Sequence, residues 1–177
     1  NKSSYDYINN YFDKKTSDKK IQLKKSKIFF KESKSETKDV LTISTIKKSK
    51  IVYDKKNNTN KLSIEGLIYN TNYNLSLSRN IYKKNITDIQ IKFKKLNAKI
   101  ESIFIEDSNK ENNYNGKANI NFSGSSIVTN YTIVDKLISF NTEKSQFNNN
   151  NINFKGQINL SPFYYNANLD LKNINAI

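Results

Sequence analysis

Histidine, cysteine, methionine and tryptophan are absent from this chain, and its 177 residues include only four glycines, one proline (Pro162) and one arginine (Arg79). Without imidazole or thiol there is no Ser-His or Cys-His nucleophile pair and no His/Cys metal set. The lack of cysteine leaves the redox compartment open. So few glycines supply no phosphate-cradling loop. The sixteen carboxylates are mostly scattered over polar positions and turns. Their closest grouping, Glu106, Asp107 and Glu111, lacks the glycine and the regular oxygen spacing of a calcium loop and reads as a solvated turn. Triplets such as Asn85-Ile86-Thr87 and Asn121-Phe122-Ser123 are expected by chance in so asparagine-rich a chain. A non-enzymatic role without cofactor or metal is expected. There is no apolar run of about 18 residues and no signal-peptide pattern. The opening Asn1-Lys2-Ser3 reads as a point inside a longer protein, with any anchor or targeting segment outside this piece.

What is present is lysine, asparagine, isoleucine, tyrosine and phenylalanine. All have A/T-rich codons, so genome bias accounts for part of the composition. Thirty basic residues against sixteen acidic ones give a net charge of +14. Interleaved lysines and tyrosines suit a nucleic-acid backbone and its bases. Yet the lysines are spread over the whole chain and no RNP-type aromatic motif occurs. A charged outer face that keeps a sheet soluble and blunts its edges explains them equally well, and nucleic acid is not the expected partner.

Residues 1–19 are the one helix candidate. Tyr5, Ile8, Tyr11 and Phe12 recur at helical spacing behind a possible Ser3 or Ser4 cap, before the charged stop "DKKTSDKK". From Lys20 to the end of the chain the period is two. Segments such as "DVLTISTI", "SKIVY", "LSIEGLI", "YNLSL", "DIQIKFKKLNAKIESIFI", "KANINFSGSSIVTNYTIV" and "KLISF" alternate between apolar and polar residues, as strands wet on one face do. "DKKNNTNK" reads as a turn cluster and "NTEKSQFNNNN" as a polar loop. About ten strands with short polar connections predict a mainly β protein, an antiparallel meander over residues 20–177 behind one short helix.

The strands also repeat. In "KLSIEGLIYNTNYNLSL" (61–77) and "NINFKGQINLSPFYYNANLDL" (151–171) an alternating strand carries a central glycine. A break follows, and an aromatic then opens the returning strand. Gly66 aligns with Gly156 and Tyr73 with Tyr165. "ANINFSGSSIVTNYTI" reads as a divergent third copy with Gly124 in the glycine position. The glycines are expected at bulges or bends.

A meander apolar on one side must hide that side. It closes into a sandwich or barrel, or it curls into an elongated, taco-like groove filled by something else. Ten strands of 7–9 residues would give a trough some 25 Å across and roughly 45 Å long. An aliphatic and aromatic lining suits an acyl chain, since apolar burial is worth about 25 cal/mol per Å².

The stretch "KIQLKKSKIFFKE…DVLTISTIKKSKIVYD…NKLSIEGLIYNTNYNLSL" and its echo "FKGQINLSPFYYNANLDLKNI" resemble AsmA-type proteins, relatives of TamB and YhdP in the bacterial envelope. In those proteins a short helix leads into repeated strands with a mid-strand glycine, a polar break and a Pro-aromatic restart. The resemblance runs from Lys20 to the end and rests on the alternation, the mid-strand glycine and the Pro162-Phe163 pair. It implies a periplasmic β-groove, held at the inner membrane through an anchor not present here. Such a groove would join neighbouring segments of the same chain and carry phospholipid toward the outer membrane. By that analogy Leu62, Ile64, Ile68, Tyr73, Leu75 and Leu77 line the groove. So do Ile152, Phe154, Ile158, Leu160, Phe163, Tyr165 and Leu169. The alternative is a closed β-sandwich surface or adhesion domain whose core those residues form.

Overall fold

The computed structural model describes residues 21–31, 40–107, 113–160 and 162–171. The period-two segments form eleven strands: β1 (Ile21–Lys31), β2 (Val40–Asp54), β3 (Thr59–Ile68), β4 (Thr71–Asn80), β5 (Ile86–Phe93), β6 (Ala98–Glu106), β7 (Asn113–Phe122), β8 (Ser125–Val134), β9 (Leu137–Phe147), β10 (Asn150–Leu160) and β11 (Phe163–Leu171). They follow one another in a single antiparallel sheet in chain order. Terminal strands β1 and β11 each have one neighbour, so the sheet is open. The expected meander therefore forms, and the closed barrel or sandwich does not. Among the described residues there is no α-helix, only the 3-10 turn Lys94–Leu96. The helix expected over residues 1–19 lies outside the described residues. The chain divides into two compact units. One holds β1–β4 and the other β6–β11; of the segment around β5, Ile91–Lys95 counts with the first and Asn85–Gln90 with the second.

Short turns set the registers. Tyr69–Asn70, Ser123–Gly124 and Asn148–Asn149 each join two strands with positive φ at both positions (44° and 62°, 41° and 78°, 46° and 65°). That is the requirement of the type I′ hairpin, whose twist matches that of the flanking strands. "NTEKSQFNNNN" is thus not a loop: only Asn148–Asn149 turns, and the rest belongs to β9 and β10. The β2–β3 connection is the expected "DKKNNTNK" turn, organised by Asp54. Its carboxylate accepts from Lys61 Nζ (2.7 Å), Asn57 Nδ2 (2.9 Å) and the backbone N–H groups of Lys56 (3.1 Å) and Asn57 (3.3 Å).

Bulges explain why β2 and β9 resist a simple period-two reading. On β2, Lys47 is an extra residue between Ile46, opposite Gly66, and Lys48, opposite Glu65. On β9 the register shifts against β8 and β10 at the same place, around Lys144 (φ 37°). Side-chain hydroxyls mend the interrupted ladders there. Ser145 Oγ accepts from Val128 N (3.0 Å) and donates to Glu143 O (2.9 Å). Thr142 Oγ1 accepts from Phe154 N (2.8 Å) and donates to Phe154 O (3.1 Å). Each bulge resets the phase of its strand, so apolar residues on either side of it return to the same face.

The mid-strand glycines are not the bulges. Gly66, Gly116 and Gly156 stand directly opposite Tyr73, Tyr131 and Phe140, whose rings occupy the space a side chain would take. A Cβ built on Gly66 would lie 2.8 Å from Tyr73 Cε1, on Gly116 2.6 Å from Tyr131 Cζ, and on Gly156 2.7 Å from Phe140 Cζ. Two expected correspondences are corrected. The third glycine is Gly116 and not Gly124, which turns a hairpin at φ 78°. The aromatic over Gly156 comes from the preceding strand as Phe140, while Tyr165 faces Ile158.

Replacing Gly116 by alanine sets a Cβ against the Ile103 carbonyl oxygen as well as the Tyr131 ring, so backbone and ring must both shift, and the expected loss is at least about 1–3 kcal/mol of stability. Denaturant unfolding checks it, with Asn119→Ala on the other face expected to stay within roughly 0.5 kcal/mol of the parent. The Asp54 carboxyl is held well below the ordinary carboxylate range, first by the Lys61 hydrogen bond and then by those of Asn57. A depressed folded value stabilises above the ordinary value of about 3.9, and that contribution disappears as pH falls through the folded value. An NMR titration should therefore find the Asp54 carboxylate still charged where exposed aspartates have become neutral.

Candidate functional site

In an antiparallel pair, residues directly opposite share a face. In the first unit Leu62 faces Leu77, Ile64 faces Leu75 and Gly66 faces Tyr73 across β3–β4. Across β2–β3, Ile51 faces Leu62 and Ile46 faces Gly66. The six residues expected to line a groove here, Leu62, Ile64, Ile68, Tyr73, Leu75 and Leu77, therefore lie on one face. Leu62 and Tyr73 are buried there and the others half-buried. Tyr73 crosses Gly66 to reach β2, where its hydroxyl pairs with Ser44 Oγ at 2.9 Å. One margin is polar: Tyr53, Asn60 and Arg79 form a cross-strand row, with Asn60 fully buried and Arg79, the only arginine, also buried.

In the second unit the register places Ile152, Phe154, Ile158 and Leu160 of β10 on one face with Tyr165, Leu169 and Phe163 of β11. Ile138 and Phe140 of β9 share it, with Phe140 edge-on to Phe154 (ring centroids 5.8 Å apart). Register carries the face on through Tyr131 and Ile133 of β8, Gly116, Ala118 and Ile120 of β7, and Ile100, Ser102 and Phe104 of β6. Tyr131 repeats the Tyr73 arrangement. Its ring crosses Gly116, and its hydroxyl meets Ser102 Oγ at 2.8 Å and Ile103 O at 3.2 Å. Burial raises the Tyr131 phenol above its ordinary value against the opposing effect of Ser102, so it stays neutral and able to donate.

Shielding on this face falls toward β11. Ile152 is buried, while Leu160, Phe163, Tyr165 and Leu169 are 52%, 70%, 75% and 60% exposed. Fully covering one such side chain is worth about 1.5–3 kcal/mol. Four left open forgo several kcal/mol, a sizeable share of the 5–15 kcal/mol that holds a typical domain together.

The opposite face is mostly polar, with Ile103, Val134 and Tyr164 exposed on it as well. In the second unit it presents Asn115, Lys117, Asn119, Asn130, Asn141, Lys155, Asn166 and Asn168. Lys117 pairs with Glu143 at 3.0 Å, and Asn130 Nδ2 donates to the same carboxylate at 2.6 Å. The Lys117 hydrogen bond leads in holding Glu143 below its ordinary range, followed by that of Asn130. A depression of about 560 Å³ is lined by residues of both parities, Asn115, Lys117, Asn130, Thr132, Ser139 and Asn141 with Ile103, Ile105, Gly116, Tyr131 and Phe140. Among the described residues no three acidic side chains are placed to hold a metal ion. Glu106 ends β6, Asp107 N donates to Asn113 O at 2.9 Å, and Glu111 lies outside the described residues.

The structure thus brings each expected set of lining residues onto one face of its own unit. Sequence reading did not single out Ile46, Ile51, Ile120, Tyr131, Ile138 and Phe140, which share those faces. The alternation that marked β3 and β10 runs through them too, and in β2 it is broken by the bulge. No family model, curated protein or solved structure matches the chain.

The Ser44–Tyr73 bond is buried at both ends, so cutting one partner strands the other. Tyr73→Phe should cost about 1–3 kcal/mol. The double variant Ser44→Ala/Tyr73→Phe should cost less than the sum of the single ones. A double-mutant cycle in urea measures the difference, and strict additivity would mean that the bond contributes nothing.

Proposed function

We propose that this chain is a non-catalytic, lipid-binding segment of an AsmA-like envelope protein, whose apolar sheet face curls into a groove and holds phospholipid acyl chains. The observation that carries the reading is the apolar face of the second unit. It runs by register from β6 to β11 and ends in large side chains that nothing in the chain's described residues covers. Acyl chains are a fitting cover. They are apolar along their length, need no hydrogen-bond partner and follow a surface made of staggered aliphatic and aromatic side chains. Between its margins the polar side chains of that face are mostly small, and the hydroxyls of Ser102, Thr129, Thr142 and Ser145 are already engaged within the sheet. A polar ligand would find few unused groups there.

By the same resemblance the segment works in the periplasm, is held at the inner membrane by a part of the protein outside this chain, and passes phospholipid between the two membranes. The lining residues are Leu62, Ile64, Ile68, Tyr73, Leu75 and Leu77 in the first unit. In the second they are Ile152, Phe154, Ile158, Leu160, Phe163, Tyr165 and Leu169. No catalytic residue, metal or cofactor takes part.

The test is mass spectrometry of an organic extract of the protein purified without detergent. Phospholipid in near-stoichiometric amount is expected. It should be lost in Leu160→Asp and Tyr165→Asp, two exposed positions where a carboxylate leaves the fold intact by circular dichroism. An extract free of lipid from folded protein would overturn the reading, and so would lipid retained unchanged by both variants.

A further inference from the structure

The lysines that read as spread over the whole chain divide unevenly between the two units. Of the thirty basic residues, 23 belong to the first unit and seven to the second, while the acidic residues split eight and eight. The first unit thus carries +15 and the second −1. A/T-rich codons do not explain the division. Lysine and asparagine codons are equally A/T-rich, yet the second unit builds its polar face largely from asparagine where the first uses lysine. Solubility does not require it either, since the second unit presents a polar face while carrying almost no net charge.

Edge protection fails as well, because Lys47, Lys48 and Lys50 lie on β2, an interior strand. Lys24, Lys48 and Glu65 form one cross-strand row on the polar face, and Lys50 and Ser63 belong to the next. Lys47 reaches the same face from its bulge, where its Nζ donates to Asn72 Oδ1 at 2.9 Å. Lys24, Lys47 and Lys48 are exposed and Lys50 is half-buried. Directly opposed like charges such as Lys24 and Lys48 destabilise a sheet. Among the described residues of this unit only Asp54 and Glu65 are acidic, and Lys61 already holds Asp54 at 2.7 Å. The face keeps a repulsion that a partner's negative charge would relieve.

We infer that the lysine-bearing face of the first unit docks on an anionic bilayer surface. The inference rests on the lipid-binding reading, because a chain that holds phospholipid has to meet a bilayer to load or release it. Lysine suits the task. Its ammonium is a compact point charge that attracts anionic head groups without fixing their geometry. Among the described residues of β2–β4 this face has no arginine to grip a phosphate at two points and no aromatic ring for a base to stack on. The lining residues stand on the opposite face of the same strands and take no part in docking.

The test is co-sedimentation of the full chain with vesicles of phosphatidylcholine, alone or mixed equally with phosphatidylglycerol. Binding is expected to the mixed vesicles at about 0.1 M salt and not at about 1 M, where the screening length falls from about 10 Å to about 3 Å. Lys24→Gln/Lys48→Gln/Lys50→Gln should weaken it at least about tenfold, since each lysine near an anionic surface is worth about fivefold in affinity. Lys99→Gln/Lys136→Gln/Lys155→Gln removes the same charge from the second unit and should change it by less than about threefold. Urea unfolding of the first triple variant should be no easier than that of the parent, because the Lys24–Lys48 repulsion is gone. A marked loss of stability would assign these lysines to the fold and overturn the inference. Equal binding to both kinds of vesicle, or equal loss in both triple variants, would overturn it too. So would displacement of the vesicles by a random-sequence DNA duplex at equal phosphate concentration, which would assign the face to nucleic acid. The lipid-binding reading is scored apart. The lysine variant should keep its extracted phospholipid, and Leu160→Asp should keep its binding to vesicles. An extract without lipid beside lysine-dependent vesicle binding would sink the groove alone.

Discussion

Within each unit the sheet has one mostly polar face and one mostly apolar face that no second layer of that unit covers, and everything else depends on this constraint. In a two-layer domain an inward side chain is covered from above. Here it is covered only by neighbours on its own face. That is why large rings sit across glycines. Tyr73 over Gly66 and Tyr131 over Gly116 each lie over the middle strand of three, and each hydroxyl is fixed on the first strand by a serine. The ring shields backbone that a glycine leaves bare, and the glycine makes room for a ring that any Cβ would displace.

The same constraint governs the polar residues on the apolar faces. Each would be costly without a partner, and no buried side-chain nitrogen or oxygen among the described residues lacks one. Their positions are informative. Thr142 and Ser145 sit where β9 bulges and supply the hydrogen bonds that the ladder loses. Ser44 and Ser102 receive the tyrosines. The hydroxyls are therefore structural parts of the face rather than groups turned toward a ligand.

Strands with clean alternation were legible whole from sequence, while bulged ones were legible only in pieces, β2 as "DVLTISTI" and "SKIVY" and β9 as "KLISF" alone. In β3 and β10 the columns Leu62–Ile64–Ile68 and Ile152–Phe154–Ile158 stand out because nothing interrupts their period. The second half of β9, from Asn141, reads as loop because its inward positions include Thr142 and Ser145, and because the extra residue near Lys144 reverses the phase there. Glycine spacing also misled. Gly124 sits in a sequence context like those of Gly66 and Gly156, but a side-chain-free position in a turn and one beneath a ring look the same in one dimension. Gly116 revealed itself only through its cross-strand partner. The candidate site was readable as columns; the assembly of those columns into a face depends on register, which the two-residue turns set.

Charge completes the picture of a surface divided by polarity. From β2 to β4 the only charged side chain on the apolar face is Arg79, at its margin beside Asn60 and Tyr53. From β6 to β11 that face has Glu106 at the end of β6, apart from the bulge residue Lys144. Lysines such as Lys48, Lys50, Lys61, Lys117 and Lys155 stand on the other face. The apolar face is thus nearly neutral within a chain of +14, so an uncharged chain-like ligand meets no desolvated charge along it.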